Sequence, residues 1–140
     1  MNNLNQITLL GNLARDPEIK YTNEGLAIAD LRVAVNRKWK DKDGNDIENV
    51  EFFNVTAWNK LAENCANNLK KGDRVIINGR LNHRSFDTKD GKKVNIINVI
   101  ADVVAASLEY SSVKITGKDD IINNNFNGSN DKNEVGIVEN

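Results

Sequence analysis

Aromatic side chains on a polar strand face are the feature of this chain that points most clearly to ligand binding. Phe52 and Trp58 share one face of a predicted strand in EFFNVTAWNK, because side chains alternate with a period of two. Polar Asn54 and Thr56 lie between them on that face, whereas a strand normally keeps its aromatics on the buried, apolar set. At about 3.3 Å per residue the rings lie roughly 20 Å apart. Several extended nucleotides could cover that span, so the pattern indicates stacking on unpaired bases.

Trp39 and Phe86 are two further aromatics in charged surroundings. Trp39 lies in RKWKDKDGNDIEN, residues 37–49, thirteen residues with eight charges and an Asp43-Gly44 turn signal. We interpret this segment as a hairpin arm that displays Trp39, because base stacking and phosphate pairing use aromatic and cationic side chains together. The alternative is that Trp39 folds back on the sheet. Phe86 precedes a second charged hairpin, and it could equally cap the end of a barrel.

Basic side chains cluster around these aromatic segments and are the candidates for phosphate contacts. They are Lys38, Lys40, Lys60, Lys70, Lys71, Arg80, Arg84, Lys92 and Lys93. Each of them could instead be an ordinary solvated surface residue. Likewise, Phe52 and Trp58 could cover a second sheet at a subunit interface.

Catalytic and metal-binding patterns are missing from the sequence. The one cysteine, Cys65, lies on the apolar stripe of a predicted helix and is interpreted as a core residue. The one histidine, His83, does not form a recognisable zinc-binding motif with it. The acidic first arm resembles a calcium loop only superficially, because the twelfth position counted from Asp41 is Phe52. We therefore expect no catalytic residues, no metal and no cofactor.

The predicted elements are three strands, one helix and two strands. The strands lie around residues 7–10, 26–36, 51–58, 74–86 and 94–104, and the helix between the third and fourth begins with Asn59 as its cap and ends in a basic turn at Gly72. Gly79 could introduce a bulge that shifts the register of the fourth strand. With two long hairpin arms, this order predicts an all-β, five-stranded Greek-key barrel of the oligonucleotide-binding type, the OB-fold.

The composition divides the chain into two parts. Residues 1–110 form the predicted domain and carry a net charge of +1, whereas residues 111–140 carry −2, contain seven asparagines and show no apolar period. We interpret the second part as a mostly disordered tail. No apolar run is long enough to span a membrane and no signal peptide is visible, so a cytoplasmic location is expected.

Three segments carry a family resemblance. GNLARDPEIKYTNEG, NVTAWNKLAENCANNLKKGDRVIINGRL and RSFDTKDGKK resemble, in order, blocks of the bacterial-type single-stranded DNA-binding proteins, over about residues 1–110. The stretch from SFDTKDGKK to ASLEYSSVKI is similar to actinobacterial members. The resemblance implies an OB-fold, a homotetramer, and binding of single-stranded DNA in replication, recombination and repair, associated with the nucleoid.

The resemblance also implies roles for particular residues. Base stacking falls on Trp39, Phe52, Trp58 and Phe86, and phosphate contacts are retained at Lys60, Lys71 and Arg84. Asn54 and Asn82 replace arginines that are frequent in the family. Family members commonly end in an acidic tip with a terminal aromatic residue that recruits other proteins, whereas this chain ends in DKNEVGIVEN. We therefore expect weak or absent recruitment through the C-terminus.

Two other functions remain as alternatives at this point. One is an OB-fold replication or restart accessory protein that also binds RNA. The other is a small OB-fold nuclease, which would need clustered acids to hold a metal, whereas the acids here lie mainly in the arms beside lysines.

Overall fold

Six strands and one helix follow each other in a computed structural model that describes residues 3–117. They are β1 (Ile7–Leu13), β2 (Glu18–Tyr21), β3 (Ala27–Lys40), β4 (Asp46–Trp58), α1 (Asn59–Asn68), β5 (Arg74–Asp87) and β6 (Lys93–Ala106). The barrel segment ends at Ala106 and a separate unit begins at Ser107. Most of the predicted tail, residues 118–140, lies outside the described residues.

The five long strands close into a barrel. Their order is β1-β5-β6-β4-β3, and β1 returns to pair with β3 at Asn12↔Ala34 and Leu13↔Val33. All pairings are antiparallel except that of β4 with β6, where Val55 lies beside Val99. The helix lies between the third and fourth long strands. This architecture confirms the predicted OB-fold.

Strand β2 is an addition to the predicted set of five. It pairs with residues 27–30 of β3, and all four of its residues are exposed. The five strands predicted from the sequence do not include this segment, although Ile19 and Tyr21 alternate with Glu18 and Lys20. β2 extends the sheet beyond β3 but takes no part in closing the barrel.

Alternation along the strands builds the core. On β3 the residues Ala27, Ala29, Leu31 and Val33 are buried while those between them are partly exposed, and β4 repeats the pattern. The helix adds Ala62 and Cys65 to this core. Burial raises the pKa of the Cys65 thiol to about 11. Cys65 is therefore a protonated core residue at neutral pH, as the sequence predicted.

Both predicted ends of the helix were wrong. Trp58 occupies the N-cap position without a side-chain hydrogen bond, and Asn59 adopts a positive φ of 59° as the first helical residue. At the other end Leu69 is already extended, so Lys70 and Lys71 lie beyond the helix. The carboxylate of Asp73 accepts a hydrogen bond from the Lys70 backbone N–H at 2.8 Å and so favours a turn in place of another helical residue.

The two predicted arms are continuations of barrel strands. β3 and β4 pair as far as Lys40↔Asp46, and β5 and β6 as far as Asp87↔Lys93. In the first arm the carboxylate of Asp41 accepts hydrogen bonds from the backbone N–H groups of Asn45 and Asp43. These bonds, led by the one from Asn45, lower the pKa of Asp41. The arms begin inside the sheet, so their strands are longer than predicted.

The bulge predicted at Gly79 is present in the structure. The β5–β6 register shifts between Asn78, which pairs with Val103, and Gly79, which pairs with Ala101. A side chain at residue 79 would meet the backbone of Ile100, with its carbonyl carbon only 2.9 Å from the added Cβ. The bulge and this close approach both explain why the position needs glycine.

Candidate nucleic-acid interface

One surface of the barrel carries most of the predicted site residues. We call it the outer face: the even-numbered residues 28–40 of β3, 46–58 of β4, 80–86 of β5 and 94–100 of β6. Within the barrel part of these strands the odd-numbered neighbours Leu31, Val55 and Val99 are buried in the core. Because successive side chains point to opposite sides of a strand, the even-numbered residues point away from the barrel interior.

Phe52 and Trp58 lie on the outer face of β4. Their cross-strand partners on β3 are Ala34 and Ile28, and the polar residues Asn54 and Thr56 lie between them as predicted. Large parts of both rings are open, with exposed fractions of 51% for Phe52 and 40% for Trp58. Both rings can therefore be reached by a planar ligand.

Phe86, Arg80 and Arg84 lie on the outer face of β5. All three are exposed, and Phe86, which pairs with Val94 of β6, has half of its surface open. The register shift at Gly79 preserves this arrangement, because it returns Ala101 and Val99 to the barrel interior opposite the odd-numbered residues of β5.

A polar row joins the β5–β6 and β3–β4 parts of the outer face. The side-chain amide of Asn82 donates to Asn98 Oδ1 at 3.3 Å, and Asn98 Nδ2 donates to Thr56 Oγ1 at 3.1 Å. These bonds cross β5, β6 and β4, the last two being the parallel pair of the barrel. Phe52, Trp58 and Phe86 therefore belong to one continuous surface.

Trp39 is placed differently from the other three aromatics. It pairs with Ile47 and shares the odd-numbered parity of Val33 and Val35, so the register puts it on the opposite side of the β3–β4 ribbon from Phe52. Its exposed fraction is 40%. Since two-stranded ribbons twist strongly, we expect the arm to rotate this side away from the direction of the barrel interior.

Two arginines that the sequence analysis did not select as site residues stack on the aromatics. The Cζ atom of Arg32 lies 4.9 Å from the ring centroid of Phe52, and that of Arg37 lies 4.8 Å from the centroid of Trp39. Arg37 is two residues from Trp39 and could have been found by strand parity. The contact of Arg32 depends on the β3–β4 register, which the sequence does not specify.

The predicted lysines occupy three locations. Lys38 and Lys40 lie on the first arm, where Lys40 forms an ion pair with Asp46 at 2.8 Å, and Lys92 and Lys93 lie at the tip of the second arm. Lys60 is exposed in the first turn of α1, next to Trp58 in sequence. Lys70 and Lys71 are exposed in the connection to β5, off the strands that carry the aromatics.

Within residues 3–117 no group of three or more His, Cys, Asp or Glu side chains is placed to hold a metal ion. In the same part of the chain no helix is long and apolar enough to cross a bilayer.

A closed barrel with this strand order and a continuous aromatic and basic face defines the oligonucleotide-binding class of folds. Comparison with known proteins gives the family. Residues 4–107 match the Single-strand binding protein family, so the chain belongs to that family.

Three relatives illustrate the similarity, all of them called single-stranded DNA-binding protein. The protein of Oceanobacillus iheyensis is 43% identical over 72% of this chain and 62% of its own length. That of Halalkalibacterium halodurans is 38% identical over 95% of this chain and 76% of its own. That of Paenarthrobacter aurescens is 39% identical over 78% of this chain and 65% of its own. The chain therefore spans less than two thirds of the length of the first and third of these relatives.

Proposed function

We propose that this protein binds single-stranded DNA with little sequence preference and without catalysing a reaction. The observation that carries the proposal is the continuous outer face, on which exposed Phe52, Trp58 and Phe86 accompany Arg80 and Arg84. Every base has a face that can stack on an aromatic ring, so such a surface tolerates any sequence. In a duplex the base faces already stack on each other inside the helix, so they are not available to stack on these rings. The family membership and the names of the relatives support the same function.

The predicted residues take two roles in this proposal. Bases stack on Phe52, Trp58 and Phe86, and on Trp39 where the strand reaches the twisted first arm. Phosphates bind the predicted cations on the arms, the strands and α1, and where the strand runs on to the connection before β5, those of that connection: Lys38, Lys40, Lys60, Lys70, Lys71, Arg80, Arg84, Lys92 and Lys93. Protection of exposed single strands during replication, recombination and repair follows from such binding, and we place the protein in the cytoplasm with the nucleoid.

The experiment that tests the proposal compares three ligands of matched length and sequence. Affinities for single-stranded DNA, duplex DNA and RNA are measured by fluorescence anisotropy in the same buffer. We expect the single-stranded DNA to bind most tightly. Equal affinity for RNA would favour the accessory-protein alternative, and cleavage of the DNA after addition of Mg²⁺ or Mn²⁺ would favour a nuclease.

Salt dependence tests the phosphate contacts. On single strands the logarithm of the affinity falls against the logarithm of salt concentration with a slope of about −0.7 per phosphate contact. Replacing Arg84 or Lys60 by Gln should therefore make the slope less steep by about 0.7 in each case. An affinity of the wild-type protein that does not change with salt would mean that these cations are only solvated surface.

We also propose that the chain forms a homo-oligomer, a tetramer as the family resemblance implies. A second exposed surface supports this: Leu10 pairs with Ile76 across β1 and β5, and Val103 of β6 pairs with Asn78. These three apolar side chains are exposed in the single chain. Exposed apolar side chains grouped on one side of a sheet are typical of protein interfaces.

Light scattering at micromolar concentration should give about four times the mass of one chain. Replacing Ile76 by Lys should lower that mass, because a charge would then be buried at the interface. The same replacement at Ile19, an exposed apolar residue on β2, is the matched control. A monomeric mass for the wild-type protein would contradict the proposal.

The domain organisation is a further part of the proposal: residues 1–110 bind DNA and assemble, and residues 111–140 do neither. The barrel segment, which ends at Ala106, contains all the predicted contact residues. Deleting residues 117–140 should therefore leave the affinity and the oligomeric mass nearly unchanged. Recruitment of a helicase or exonuclease from the same source through the C-terminus should be weak. Tight binding of such a partner that is lost with the last ten residues would contradict this expectation.

A further inference from the structure

Arg32 of β3 is held in a defined position on the outer face. Asn54 lies directly opposite it on β4, and Phe52 lies one outer-face position further along. The Nη1 atom of Arg32 donates to Asn54 Oδ1 at 2.9 Å, and its Cζ atom lies 4.9 Å from the Phe52 ring centroid. The residue opposite Phe52 is the small Ala34, which leaves room for the longer side chain. The guanidinium is thus fixed at two points beside an exposed aromatic ring.

The charge of Arg32 is not neutralised by a neighbouring carboxylate. None of the ion pairs within residues 3–117 includes it. The acid nearest to it along this face of β3, Asp30, pairs instead with Lys20 of β2 at 3.5 Å. A guanidinium has five N–H donors, and the bond to Asn54 uses one of them. Arg32 is therefore a positioned cation with donors left for an anion.

We propose that Arg32 binds a phosphate of the same DNA strand whose base stacks on Phe52, with Asn54 as its positioning residue. This inference rests on the proposed function and adds a residue to its site. Arginine binds phosphate through two parallel N–H donors, and a guanidinium already held in place loses less rotational freedom on binding. About half of the Phe52 surface stays open beside the guanidinium, with an exposed fraction of 51%. Ring and cation can therefore serve neighbouring parts of one nucleotide.

The test compares Arg32→Gln, Arg32→Lys and a matched control, Arg15→Gln. Arg15 precedes β2, does not belong to the set of residues that forms the outer face, and is paired with Glu18 at 3.5 Å. Binding of a labelled oligo(dT) is followed by anisotropy at several NaCl concentrations. Arg32→Gln should weaken binding roughly tenfold, in the range for a lost charged hydrogen bond. It should also make the salt slope less steep by about 0.7. Arg32→Lys should keep the slope, and Arg15→Gln should change neither quantity.

The role of Asn54 is tested separately. Asn54→Ala keeps the charge of Arg32 but removes its hydrogen-bond partner. The affinity should therefore fall several-fold, while the slope of log affinity against log salt concentration stays the same. Once Arg32 is replaced by Gln, the further loss of Asn54 should have little additional effect, since the two residues act as a unit. If Asn54→Ala binds DNA with wild-type affinity, Asn54 does not position Arg32. This variant also tests the inference if the Arg32→Gln protein is poorly folded, because it leaves Arg32 itself unchanged.

Three results separate failure of this inference from failure of the proposed function. Wild-type affinity and slope in a folded Arg32→Gln protein would overturn the phosphate contact and leave DNA binding intact. Tighter binding by Arg32→Gln would also overturn it, because Arg32 would then be covering a stacking surface. Absence of single-stranded DNA binding by the wild-type protein would defeat the proposed function itself.

Discussion

Replacing Trp58 by Ala should weaken binding of single-stranded DNA by about tenfold or more, the effect of losing one stacked base. The fold should survive, because the ring lies on the outer face with an exposed fraction of 40% and the core residues Val55 and Ala57 point the other way. Affinity is measured with a labelled oligo(dT), and stability by thermal unfolding. The melting temperature should change little compared with the loss of affinity.

Tyr21→Ala is the matched control for this loss. Tyr21 is an exposed aromatic residue on β2, outside the set of residues that forms the outer face. Its removal should leave the affinity close to that of the wild-type protein. If Trp58→Ala and Tyr21→Ala bind equally well, the Trp58 ring is not a stacking site.

The comparison with Trp39→Ala is also informative. Trp39 lies on the opposite side of the β3–β4 ribbon from Phe52 and Trp58, and Arg37 already stacks on its ring. A strand that follows the outer face reaches Trp39 only at the twisted arm. We therefore expect a smaller loss of affinity from Trp39→Ala than from Trp58→Ala, measured under the same conditions.

Replacing Gly79 by Ala should lower the free energy of unfolding by about 2 to 3 kcal/mol, the upper part of the range for forcing atoms into a packed site, because the atoms that collide with the new Cβ are backbone. The added Cβ would collide with the carbonyl oxygen of Ile100 and lie 3.0 Å from the Cα of Ala101. Both are backbone atoms of β6 beside the register shift, so relief requires that the two strands separate. Thermal unfolding should show a melting temperature lower by roughly 10 to 20 °C.

Gly117→Ala is the control for this prediction. A Cβ at Gly117 meets nothing within 4 Å, and the residue lies beyond the last strand, so the melting temperature should stay the same. Equal stability of Gly79→Ala and the wild-type protein would mean that β5 and β6 do not approach each other this closely.

The barrel could be predicted from the order of its elements, and its strands from apolar residues that alternate most clearly on β3. The apolar residues Ala29, Leu31 and Val33 at every second position predict one buried side, and the structure buries all three. The same rule placed Phe52 and Trp58 on the exposed side. A glycine within an apolar strand predicted the irregularity at Gly79 because few other causes put glycine there.

Other features could not be predicted because they depend on contacts that are distant in sequence. Strand β2 exists because the edge of β3 is free to pair with it, although its own residues are all exposed. The helix ends early because the side chain of Asp73 binds the backbone of Lys70. The contact between Arg32 and Phe52 joins residues of two strands and needs their register.

The emission of a single tryptophan during DNA binding decides whether bases stack on the outer face. The chain has two tryptophans, so Trp39→Phe leaves Trp58 as the only one. Poly(dT) is added to this variant while anisotropy of a labelled competitor reports binding independently. If bases stack on the outer face, the Trp58 emission should be quenched in step with binding and level off at saturation. Unchanged emission at saturating DNA would contradict stacking at Trp58 and, with it, the proposed interface.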